Sequence, residues 1–211
     1  MNAGPGYLVK VPADDRPARQ RLIDATIEVI GRDGLARATT REIARAAGCS
    51  EALLYKHFAD KSALFLHVMA ERSPAFLELL AQLPAEAGTG TVAGHLTRVV
   101  ARALPFYELG IPTGSALFAD PELLRRHRAG LEESGAGPHR PLEAVTAYLR
   151  AERLKGRLAR TARPPAVAAL LLGACYQRAF LRSFMGESAI IGTDEQFARD
   201  VVHTLLAGIA P

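Results

Sequence analysis

Gly48 is the residue that most constrains this chain, because it stands between two short segments that each carry their own helix-start signal. Upstream, Thr39 and Glu42 have the spacing of a capping box, in which each side chain satisfies a free backbone N–H of the first helical turn. Ile43, Ala44 and Ala47 then supply one short apolar face, too small to be stable without neighbours. Gly48 falls where a left-handed residue ends that helix, and Ser50 is a good N-cap for the next. In that second helix Leu54 and Phe58 point inward, while Glu51, Ala52, Leu53, Tyr55 and Lys56 point outward. Asp60 caps a third helix and so puts Lys61 in its first turn, where a cation opposes the helix dipole. That placement suggests an external anion such as a DNA phosphate; an exposed, solvated lysine is the alternative. Helix, glycine turn, helix is the pattern whose second helix enters the DNA major groove.

The order Thr39-Thr40-x-x-Ile43-Ala44, Ala47-Gly48-x-Ser50, Leu54-Tyr55-x-His57-Phe58 and Lys61-x-x-Leu64 resembles the TetR/AcrR family of bacterial transcription regulators. The likeness runs from Arg16 to Leu66, and the rest of the chain agrees in layout alone. Ala52 stands where the family often has glycine, which implies a different close approach to the bases, and Cys49 where an aliphatic residue is usual. By position, the resemblance implies phosphate contacts from Thr40, Ser50, Tyr55, His57 and Lys61. Arg41, Glu51, Ala52, Leu53 and Lys56 then lie near base edges. Glu51 has two readings: it accepts from a cytosine amine, or it only favours its helix N-terminus. The resemblance further implies a homodimer on a palindromic double-stranded DNA operator, a small-molecule effector, and repression that the effector relieves.

Composition points the same way on fold. Nearly half of the 211 residues are hydrophobic, which excludes a disordered chain and allows one or two domains. Alanine, leucine and arginine dominate and no run alternates with period two, so the expected class is all-α, with about nine or ten helices. We read residues 1–15 as a disordered arm, 16–73 as the DNA-binding part and 74–211 as a helical bundle for ligand binding and dimerisation. The formal charge of +4 fits an anionic partner only loosely. The beginning of the chain lacks the apolar core of a signal peptide, and the longest apolar run, Ala166 to Tyr176, is too short for a bilayer. The expectation is a soluble, cytoplasmic protein without membrane contact.

Along the first helix, Ile23, Ile27 and Ile30 form one stripe, and Gly34 ends it. Pro74 should kink or split the helix that begins at Lys61. Further helices are expected at 74–83, 91–109, 121–133, 141–159, 165–185 and 194–209, separated by breaks at 88–90, 110–114, 135–138 and 164–165. Thr193 and Gln196 repeat the capping-box spacing. Phe197, Val201 and Leu205 form a stripe on the last helix, and Leu171 and Ala174 lie on a helix apolar nearly all round. Such a helix is either central or covered by a second copy; the resemblance implies the second copy, through the last two long helices.

No reaction emerges. Gly88-Thr-Gly90-Thr-Val-Ala93 matches a dinucleotide fingerprint in letters but follows no strand, so it reads as a loop. The six histidines do not cluster, and no metal, cofactor or enzymatic activity is expected. Cys49 reads as a turn residue or a redox sensor near DNA; Cys175 reads as a small core residue. Phe76, Leu80, Phe106, Tyr107, Phe118, Tyr148 and Tyr176 are either plain core or the wall of a pocket for a small apolar or amphipathic effector.

Overall fold

The computed structural model describes residues 17–33, 38–72, 74–119, 121–134, 137–187 and 190–209. The expected N-terminal arm, the stop at Gly34 and the residues 135–136 lie outside that set. Among the described residues, ten α-helices and one 3₁₀ turn make up the regular structure, and no strand is present. They pack as two compact units that divide between Ala59 and Asp60.

The first unit holds α1 (Ala18–Asp33), α2 (Thr40–Ala46) and α3 (Glu51–His57). Two of these have only seven residues, so caps and packing must hold them. The side chain of Thr39 accepts from the Glu42 N–H at 3.2 Å, and that of Ser50 from the Leu53 N–H at 3.2 Å. Each such cap contributes about 1 kcal/mol. Gly48 has φ +63, the left-handed conformation that lets the chain reverse between α2 and α3 at no steric cost. Leu22, Ile23, Val29, Ile43, Leu54 and Phe58 form the core. The inward stripe of α1 therefore differs from the expected one: Ile23 is buried, but Ile27 and Ile30 are only half-buried, and Leu22 and Val29 take their place. Thr26 completes that face because its hydroxyl donates to the Leu22 carbonyl at 2.6 Å, which leaves nothing polar unpaired.

The second unit begins with α4 (Lys61–Arg72), capped by Asp60, whose carboxylate accepts from the Ala63 N–H at 2.8 Å. The sequence put α4 with the DNA-binding part; here it packs against α6 (Val92–Ala119). Pro74 opens α5 (Pro74–Gln82), with residue 73 outside the described set, and the 3₁₀ turn Leu83–Glu86 follows. The expected break at 110–114 is absent, because α6 runs unbroken through Pro105, Gly110 and Pro112 for 28 residues. Each interior proline costs roughly 3 kcal/mol. The packing of this central helix against α4, α5, α9 (Pro164–Met185) and α10 (Asp194–Ala207) offsets that cost, with Leu96, Val99, Val100, Leu104, Ile111 and Leu117 buried along it. α7 (Pro121–Ser134) and α8 (Arg140–Leu154) complete the unit, the latter packed on α9. Pro164 and Pro165 lie within the first turn of α9 rather than before it, where a missing N–H costs nothing.

Two clusters of linked polar side chains in the second unit include buried groups. The Tyr148 hydroxyl lies 2.8 Å from His95 Nδ1, and Glu152, fully buried, accepts from the Gly88 N–H at 3.2 Å. Arg157 donates to the carbonyls of Thr89 and Gly90 at 3.2 and 2.7 Å. The Gly88–Gly90 loop is thus a turn stitched to the end of α8 and the residues just after it. In the other cluster, Arg178 and Arg182 of α9 both reach Asp194 at the start of α10, and Arg182 also binds Glu108 of α6. Arg178 further donates to the carbonyls of Ile191 and Gly192 and lies 4.7 Å from the Phe197 ring, which fixes the turn between α9 and α10. The expected capping box of Thr193 and Gln196 is present in full.

Candidate nucleic-acid interface

The outward surface of the first unit is built by α2, the turn and α3. Leu54 is fully buried, and Phe58 just past the helix nearly so, which turns the rest of α3 outward. Tyr55 is half exposed, and Arg41, Ser50, Ala52, Lys56 and His57 are exposed, while Thr40, Glu51 and Leu53 are half-buried. Arg21 of α1 braces the turn from behind: it donates to the Ala47 carbonyl at 3.2 Å and to the Cys49 sulfur at 3.4 Å. Arg19 lies 5.5 Å from the Phe58 ring. Neither arginine stood out in the sequence, because nothing local in α1 reveals a partner some 26 residues away.

Hydroxyl accounting separates the expected phosphate contacts. Ser50 accepts through its oxygen from the Leu53 N–H, which leaves its own proton available to an acceptor. Thr40 is different: its hydroxyl donates to the Glu51 carboxylate at 2.5 Å. The Tyr55 hydroxyl lies 3.5 Å from the Thr40 oxygen, and since the threonine proton points elsewhere, tyrosine is the donor of that long contact. Glu51 and Tyr55, one helical turn apart on α3, thus both meet Thr40 of α2.

Lys61 belongs to the second unit. Its ammonium lies 5.2 Å from the Phe65 ring on the next turn of α4, and burial lowers its pKa below the usual lysine value. An aromatic face within its own helix is therefore one partner for a cation that the helix dipole disfavours.

Of the residues expected around an effector, four form a chain of ring contacts. Phe76 lies 5.1 Å from Phe106, which lies 5.5 Å from Tyr107, and Tyr107 lies 5.6 Å from Tyr176. Burial pushes the Tyr107 phenol up to about 12 and the neighbouring Cys175 thiol likewise to about 12, so both stay neutral. Leu80 is buried in the same core, whereas Tyr148 is engaged with His95 and Phe118 is 74% exposed. A shallow groove of about 370 Å³ lies elsewhere, between α6 and α10, lined by Ala93, Thr97, Arg199, Val202, His203 and Leu206. None of the sequence candidates borders it.

The interface residues fare unevenly. Leu171 is fully buried in this chain's own core, and Phe197, Val201 and Leu205 are partly packed against it, with Ala174 half-buried. What α9 leaves uncovered is a different stripe: Leu170, Tyr176, Phe180, Leu181, Phe184 and Met185 are all exposed. The period of the helix explains the shift, since Leu171 and Cys175 mark the inward side and Leu170, Phe180 and Phe184 the outward one.

Two short capped helices about a left-handed glycine, with a polar outward face on the second, define a helix-turn-helix protein. Residues 22–68 match the family model of bacterial regulatory proteins, tetR family. Over this domain the chain is similar to that family. The uncharacterized HTH-type transcriptional regulator TtgW of Pseudomonas putida is 40% identical over 63 residues, 30% of this chain and 47% of that protein. The chain thus spans about half the length of that relative. Among solved structures, a transcriptional regulator from Rhodococcus sp. Rha1 has the same fold, with a TM-score of 0.64 at 22% identity over 92% of this chain and 98% of the other. FadR of Bacillus subtilis, solved in complex with stearoyl-CoA, reaches a TM-score of 0.64 at 16% identity over 90% of this chain and 98% of its own.

Proposed function

We propose that this protein is a DNA-binding transcription regulator: a homodimeric repressor that binds a palindromic operator and leaves it when a small apolar or amphipathic molecule binds the second unit. The observation that carries the DNA-binding part is the outward face of α3, on which Ser50, Tyr55, Lys56 and His57 present donors and cations while Leu54 and Phe58 anchor the helix from behind. Ser50, Tyr55 and His57 would hold phosphates from the flanks, with Lys61 beyond them in the chain. Arg41 and Lys56 suit guanine edges and Leu53 a thymine methyl.

Dimerisation is supported by the exposed apolar stripe of α9. Singly exposed leucines are ordinary, but a continuous row of large apolar side chains along one helix marks a protein contact. A symmetric pair of such helices buries the same stripe twice. The effector reading rests on the tier from Phe76 to Tyr176, whose rings would suit an apolar chain, as does the acyl-CoA held by the FadR relative.

Selection from a pool of random duplexes tests the reading. The full chain should enrich an inverted repeat with half-sites about one helical turn, or a multiple of it, apart. Recovery of no preferred sequence after repeated rounds would end the proposal.

A further inference from the structure

We infer that Glu51 reads an amine-bearing base, cytosine or adenine, and that Thr40 is its positioning residue and not a phosphate contact. The inference rests on the DNA-binding reading above and concerns what that surface recognises. A threonine hydroxyl has one proton, and here it is committed to Glu51 at 2.5 Å, from one short helix to the other. A phosphodiester offers only acceptors. To donate to it, Thr40 would have to abandon a carboxylate, leaving that carboxylate bare beside a second anion. The exchange replaces one charge-assisted bond by another and adds repulsion, so the internal bond persists.

The consequence for Glu51 is order. Its side chain begins at the first residue of α3, and the bond to Thr40 of α2 removes rotamer freedom that a free glutamate would lose on binding. One carboxylate oxygen takes the threonine proton, and the other is left to accept. In the major groove, N4 of cytosine and N6 of adenine donate, while O6 and N7 of guanine and O4 of thymine repel a carboxylate. Ala52 and Leu53, beside Glu51 on α3, carry no hydrogen-bonding side chain that competes for the same edge. A fixed carboxylate therefore selects in both directions, by acceptance and by repulsion. Tyr55 gives up only its long 3.5 Å contact with the Thr40 oxygen when it turns its proton to a phosphate.

The test uses the full chain on its selected duplex, with every base pair changed in turn. The proteins are wild type, Glu51→Ala, Glu51→Gln and Thr40→Val, each checked by thermal melting. Glu51→Ala should lose about five- to a hundredfold of discrimination at one symmetric pair of positions, the size of a single base contact, with the others unchanged. Glu51→Gln, which keeps the accepting oxygen, should retain the preferred base with weaker rejection of guanine and thymine. Thr40→Val should soften the same position severalfold and leave the remaining positions as they were. An even rise in affinity on all duplexes for Glu51→Ala would make Glu51 a repulsive bystander, and an even loss on all duplexes for Thr40→Val would restore Thr40 as a phosphate contact; either overturns the inference. If wild type itself prefers no duplex, the DNA-binding reading fails first, and that result is distinct from both.

Discussion

The two units solve the problem of holding helices together by different means. In the first, α2 and α3 have seven residues each and depend on caps, a glycine at φ +63 and short side-chain links such as Thr40 to Glu51. In the second, helices of 28 and 22 residues carry large buried faces, and packing decides where they begin and end. The contrast extends to their surfaces. The first unit turns polar and cationic groups outward, whereas α9 of the second leaves a row of large apolar groups exposed. One surface is suited to a polyanion and the other to a protein copy, so a substitution on either should touch one partner directly and reach the other only through loss of the dimer.

The strongest break of that contrast is at α9. Leu170 is 62% and Phe184 74% exposed, so charging both leaves the protomer's own core intact. Leu170→Glu with Phe184→Glu should convert a dimer to monomers in sedimentation, and should weaken operator binding by at least a hundredfold while thermal melting of the isolated chain changes little. A dimer that survives both changes would place the interface elsewhere. Val201 and Leu205 serve this test less well, because they are partly packed in the core and a charge there would damage the fold as well.

A smaller effect separates the units by pH. The hydrogen bond from Arg182, then that from Arg178, holds the Asp194 carboxyl below its usual 3.8, against the opposing pull of desolvation. A folded-state pKa below the unfolded one contributes stability that is present above the unfolded value and lost as pH falls through the folded one. The second unit should therefore lose this contribution below about pH 4, and Asp194→Asn should flatten the acid limb of its melting curve. With the side chain 41% exposed, the loss at neutral pH stays within about 1 kcal/mol. An acid limb unchanged by Asp194→Asn would show that other carboxylates govern it.

The same contrast explains what could be read from the sequence. Thr39, Gly48, Ser50, Asp60 and the box of Thr193 and Gln196 act on backbone within three residues of themselves, so their roles show in the letters. Gly110 and Pro112 have the same local meaning, yet α6 passes through them because contacts with distant helices outweigh the cost. Partners far apart in sequence left no trace: Thr40 with Glu51 across the turn, His95 with Tyr148, Arg178 with Asp194. Periodicity also misled by one position on α1, where packing chooses Val29 over Ile30 for the inward side, and on α9, apolar nearly all round, it left the choice between Leu171 and Leu170 to packing.

DNA should lie on the outward face of α2, the turn and α3 and leave the exposed stripe of α9 untouched. Amide hydrogen exchange of the full chain, with and without an excess of its selected duplex, tests this most directly. Slower exchange confined to peptides that cover residues 40–57 and the start of α4, with α9 unchanged, is the predicted result. Protection on α9 or α10 with none at 40–57 would contradict it.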